Sequence, residues 1–119
     1  MRKNKIIICL PIEVKNRELL SKTFLAYKLL KKINCEILIG DRKTMFIDFD
    51  KSKNLIYFYK GGGKHLTKNF FNHVKKNNFL FTLDEEGPIF EMFDWDIENK
   101  ISKKYCRNFN GIFVWGKKD

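Results

Sequence analysis

The chain has 119 residues, 44% of them hydrophobic and 15% aromatic, and a formal charge of +10. That length suits one compact domain able to bury a core without staples, and so much apolar and aromatic surface excludes a disordered chain. Cys9, Cys35 and Cys106 show no CxxC spacing, which sets aside a zinc or dithiol redox site, and no stretch reaches the ~20 apolar residues of a membrane span.

The opening MRKNKIIICLPIEVK carries a basic lead, but its short apolar run breaks at Pro11 and Glu13 and offers no cleavage site, so it reads as structure rather than a signal. Residues 5–10, KIIICL, form a β-branched run without alternation, the pattern of a strand buried on both faces, with Pro11 ending its ladder. From 17 to 33 the residues Leu19, Leu20, Phe24, Leu25, Tyr27, Leu29 and Leu30 recur at helical spacing among lysines, an amphipathic helix with Asn16 as its N-cap. CEILIG gives a second buried strand, after which Asp41 caps a short second helix. LIYFYK (55–60) is a third strand, 65–76 a further helix, FLFTL a fourth strand, 89–104 another helix, and GIFVWG a fifth strand.

Strands alternating with helices in this rhythm imply βαβ units with right-handed crossovers. The expected fold is α/β: residues 1–119 as a single Rossmann-like three-layer sandwich around a five-stranded parallel sheet in order 3-2-1-4-5. The chain ends soon after the fifth strand, which suggests a half-protein or a fragment of a longer one.

In open α/β sheets ligands bind beyond the carboxyl ends of the strands. Glu13, Lys15, Arg17 and Glu18 follow the first strand; Gly40 and Asp41 the second; Lys60, Gly61, Gly62 and Gly63 the third; Asp84, Glu85, Glu86 and Gly87 the fourth. Seven of the 14 acids fall between 84 and 98, where no Lys or Arg interrupts them. A carboxylate at such a rim can bind sugar hydroxyls or take a proton from one, while any single member could equally cap the next helix. The GGGKH turn lacks GxxxxGK[ST] and GxGxxG, so it fits a phosphate cradle and a plain strand-to-helix turn alike. His65 and His73 have no partner at metal-ligand spacing, there is no GxSxG, and Trp95 and Trp115 read as core. No metal or cofactor is expected.

The segments PIEVKNRELLSK, LIGD, LDEEG and VWG, in that order, resemble the amino-terminal part of the bacterial surface carbohydrate biosynthesis proteins, glycosyltransferases of the two-domain GT-B type. The resemblance covers essentially the whole chain, and P-I-E-x-K-x-R-E-L is its most specific motif. It matches Glu13, Lys15, Arg17 and Glu18 to the first motif, Gly40 to the second, and Asp84, Glu85, Glu86 and Gly87 to the third. It implies an acceptor-side domain for cell-surface polysaccharide synthesis, holding a glycan or lipid-linked acceptor opposite a separate nucleotide-sugar-binding domain or chain. The second Rossmann half of such enzymes is not in this sequence.

On that basis Glu13 is the first choice for the catalytic base and Glu85 the second. Lys15 and Arg17 are expected to hold a phosphate or acidic sugar, with Glu18, Lys60, Gly61, Gly62, Asp84, Glu86 and Gly87 completing the substrate site. The expected location is cytoplasmic, with peripheral contact to an anionic inner membrane face and no nucleic-acid partner. The alternative is a non-catalytic flavodoxin-like module that binds an anion or a protein.

Overall fold

The computed structural model describes residues 5–47, 55–60, 72, 78–83 and 107–113. Five strands form one all-parallel sheet: β1 (Ile6–Ile12), β2 (Cys35–Asp41), β3 (Leu55–Lys60), β4 (Phe79–Leu83) and β5 (Gly111–Phe113). Between them lie α1 (Lys15–Lys32) and the short α2 (Arg42–Ile47). The parallel α/β architecture is as the sequence implies. The helices expected over 65–76 and 89–104 lie outside the described residues, apart from the helical Asn72, as do residues 114–116 of the GIFVWG segment.

The strand order is β2-β1-β3-β4-β5, which corrects the expected 3-2-1-4-5. β3 does not extend the sheet outward beyond β2; the chain doubles back and pairs β3 with the other side of β1. Burial gives the reason. Leu55, Tyr57 and Tyr59 alternate with half-buried Ile56, Phe58 and Lys60, so β3 needs neighbours on both sides. β2 alternates Cys35, Ile37 and Ile39 with exposed or half-exposed Glu36, Leu38 and Gly40, a pattern suited to an edge. This is the flavodoxin-like order, whose switch point lies between β1 and β3.

β1 runs through Pro11 to Ile12 rather than stopping before it. It pairs with β2 along its whole length but with β3 only from Ile7 to Cys9, so at Pro11 one side of the strand has no ladder to lose.

The two helices cover opposite faces. Leu25, Ala26 and Leu29 of α1 pack on Ile8, Leu10, Cys35, Ile37 and Ile39. Met45 of α2 packs on the other cluster, which holds Cys9, Leu55, Tyr57, Tyr59, Leu80 and Phe109. Only part of the apolar set read from the sequence is therefore the core face of α1. Leu20, Phe24, Tyr27 and Leu30 point into solvent, while Glu18, Lys22 and Ala26 are buried.

Two asparagines extend the ladder at the amino ends of the central strands. Leu55 N–H donates to Asn78 Oδ1 at 2.9 Å, and Leu80 N–H donates to Asn110 Oδ1 at 2.8 Å. Each side chain supplies the acceptor that a further strand residue would have given.

Candidate functional site

Register brings the functional side chains to one level. Ile12 of β1 pairs with Asp41 of β2, Lys60 of β3 pairs with Leu83 of β4, and Leu83 pairs with Phe113 of β5. Cys9 pairs with Tyr57, so Lys60, three residues on, stands level with Ile12. Glu13, Arg42 and Lys60 thus gather over the carboxyl edge at the switch point.

The first turn of α1 is built around Glu18. The helix begins at Lys15 with Val14 as its N-cap and no side-chain cap, which corrects the expected Asn16 cap. Val14 C=O accepts from Arg17 N–H at 3.1 Å and Glu18 N–H at 3.0 Å. Glu18 then reaches back, and its Oε2 accepts the Glu13 N–H at 2.9 Å. A carboxylate in the first turn that satisfies a backbone donor just before the helix works as the acidic half of a capping box. The five-residue spacing of the two glutamates in P-I-E-x-K-x-R-E-L follows from this contact.

The other oxygen of Glu18 meets Lys60 Nζ at 3.0 Å, with 4% of the Glu18 side chain and 13% of the Lys60 side chain exposed. Arg17 Nη2 stands 3.6 Å from the same oxygen. Burial pushes the Glu18 pKa up, but the Glu13 N–H, the Lys60 hydrogen bond and charge, and the charge of Lys22 outweigh it and leave it below the ordinary value. Burial likewise pulls Lys60 down, yet its hydrogen bond and charge contact with Glu18 dominate and hold its pKa above the ordinary one.

Glu13 bridges the two faces. Its Oε2 is 3.5 Å from Lys60 Nζ on the α1 side, and its Oε1 pairs with Arg42 Nη1 from the α2 side. The Arg42 guanidinium in turn lies 5.9 Å from the centre of the Tyr59 ring, a cation–π contact that fixes its approach. About a third of the side chains of Glu13 and Arg42 stays open, at 35% and 33%.

Of the expected site residues, Glu13, Arg17, Glu18 and Lys60 are brought together. Lys15 is exposed on the first turn of α1. Glu18 is enclosed, with its carboxylate held between the Glu13 N–H and Lys60 Nζ. Gly61, Gly62, Asp84, Glu85, Glu86 and Gly87 lie outside the described residues. Asp41 caps α2 as expected, its Oδ2 accepting the Thr44 N–H at 3.0 Å.

Arg42, Lys22 and Tyr59 were not singled out by sequence reasoning. Arg42 had a usable signal, since it follows directly on a strand end; Lys22 and Tyr59 looked like solvated surface and plain core. Among the described residues no three His, Cys, Asp or Glu side chains could hold a metal ion.

Chemically, the described residues of this edge place the half-open Glu13 carboxylate between two cations, braced by a buried ion pair. Comparisons with protein-family models, with curated proteins and with solved structures gave no match.

Proposed function

We propose that this chain is the acceptor-side domain of a cytoplasmic glycosyltransferase-type enzyme of cell-surface polysaccharide synthesis, working with a nucleotide-sugar-binding domain or chain. The observation that carries the reading is the Glu13 carboxylate, placed at the β1/β3 switch point, partly open to solvent and flanked by Arg42 and Lys60.

The acceptor would be a glycan or lipid-linked saccharide bearing a phosphate or acidic group. Arg42, with its planar donor fork, suits bidentate contact with that group. Drawing Arg42 toward the acceptor frees the Glu13 Oε1 that it holds in the unliganded domain. Glu13 then takes the proton from the attacking hydroxyl as the new bond to the anomeric carbon forms and the bond to the leaving nucleoside diphosphate breaks. Lys60, anchored by Glu18, keeps Glu13 in place.

The test is transfer reconstituted with a chain that supplies the nucleotide-binding half. Glu13→Gln is expected to lower turnover about 10²–10⁴-fold, the usual contribution of a general base. Unchanged turnover would remove Glu13 from that role.

One observation favours a second reading. The 2-1-3-4-5 order is that of flavodoxin-like modules, and the same cations would then bind an anion with no transfer step. Anion binding by the isolated chain without any turnover in the reconstituted system would select it.

A further inference from the structure

The outer side of α1 carries an apolar crest where a solvated helix would be polar. Leu20 is 83% exposed, Phe24 60%, Tyr27 51% and Leu30 54%. Leu20, Phe24, Tyr27 and Lys31, spaced i, i+4, i+7, i+11, form a row opposite the buried Glu18, Lys22 and Ala26. Exposed apolar rows of this kind mark a contact surface.

Charge decides the kind of contact. The exposed ionic residues of α1 are Lys15, Arg17, Lys28, Lys31 and Lys32, all basic, and the single acid of the helix, Glu18, is buried. Two of these cations lie on the crest itself: Lys28 Nζ is 5.3 Å from the Phe24 ring centre and Lys31 Nζ is 4.7 Å from that of Tyr27. Cores of protein–protein interfaces are depleted in Lys, and aliphatic side chains such as Leu20 and Leu30 add nothing to a phosphodiester backbone contact. Interfacial helices combine these features, sinking Leu and aromatic groups below the headgroups while Lys reaches the phosphates. No described helix is long and apolar enough to cross a bilayer, so the contact is with the surface.

We infer that the outer face of α1 docks the domain on an anionic phospholipid surface through Leu20, Phe24 and Tyr27, with Lys28 and Lys31 on the headgroup phosphates. The inference goes beyond the transferase reading and does not depend on it, because none of these residues touches the Glu13, Arg42 and Lys60 cluster.

The experiment is cosedimentation of the 119-residue chain with vesicles of phosphatidylcholine alone or with about a third phosphatidylglycerol, at low and high salt. Binding is expected to the anionic vesicles, at least ~10-fold weaker to neutral ones, and to weaken as salt screens the lysines. Lys28→Gln with Lys31→Gln should weaken it about 30-fold. Leu20→Gln with Phe24→Gln, at exposed positions where Gln keeps helix propensity, should weaken it ~10-fold or more. Lys5→Gln, off the helix and in an ion pair with Glu36, should bind as the parent does. The inference is overturned if the chain stays in the supernatant with anionic vesicles, or if both double variants, folded by circular dichroism, bind like the parent. A concentration-dependent dimer abolished by Leu20→Gln with Phe24→Gln, with vesicles unbound, would make the face a self-contact and equally overturn it.

Discussion

Replacing Lys60 with Met tests the brace beneath the site. The substitution keeps most of the aliphatic stem and removes the ammonium that lies 3.0 Å from Glu18 Oε1. Removing one partner of a buried ion pair strands the other charge at a cost of about 3–5 kcal/mol. Glu18 would keep the Glu13 N–H and the more distant Arg17, so the lower end applies, about 3 kcal/mol. At ~2.1 cal/mol/K per residue that corresponds to a fall in Tm of roughly 12 °C for this chain. Thermal and urea unfolding followed by circular dichroism reads it. Adding Glu18→Gln should recover part of the loss, because the amide oxygen can still accept the Glu13 N–H while the stranded charge is gone. A loss below ~1 kcal/mol for Lys60→Met would mean the pair behaves as a solvated surface bridge, and the brace would not exist.

The same pair sets a pH window. Glu18 titrates below its ordinary 4.5 when folded, so its contribution is present above that pH and is lost as pH falls through the folded value. Lys60 titrates above its ordinary 10.5, so its contribution is full below that pH and is lost as pH rises past the folded value. The stability difference between the parent and Lys60→Met should therefore be level from about pH 5 to pH 10 and shrink on both sides.

Asn78→Leu should destabilise by ~1–3 kcal/mol in urea, since it leaves the Leu55 N–H in a buried place without its acceptor; a neutral result would mean that another group replaces it. Gly111→Ala brings a methyl within 2.8 Å of the Phe81 ring and should cost ~1–3 kcal/mol by overpacking, read as a lower urea midpoint, with no loss if the ring swings clear. Burial pushes the Cys9 thiol up to about 11, so a disulfide reagent at pH 8 should modify it only after denaturant is added; rapid modification of the native chain would place it at the surface.

Much of the fold was legible because the strands are local and strongly patterned. LIYFYK and FLFTL coincide with β3 and β4, since β-branched and aromatic runs of that length have few other uses. Strand order was not legible, because choosing which side of β1 receives β3 compares two nonlocal pairings that no short stretch encodes. The face of α1 was ambiguous for a different reason. Its apolar residues lie on two sides, and the side turned inward carries Leu25, Ala26 and Leu29 together with the buried Glu18 and Lys22, which no apolar pattern marks.

The site divides in the same way. Glu13 and Lys60 were readable from their places just after a strand or at its end, whereas Arg42 joined them through the register that sets Ile12 beside Asp41. Glu18 was readable as a member of the site, but its enclosure was not, because that depends on Lys60, 42 residues away.

The central claim is that the carboxyl edge between β1 and β3 binds a phosphate-bearing saccharide. Its most direct test is an amide-shift titration of the isotope-labelled chain with a hexose 1-phosphate, alongside the free hexose and the Arg42→Gln variant. The expected result is a saturable set of shifts at Glu13, Arg17, Arg42 and Lys60, absent with the free hexose and much weakened in the variant. Shifts confined to the opposite end of the sheet, around Asn78 and Asn110, or no saturable shifts at all, would contradict it.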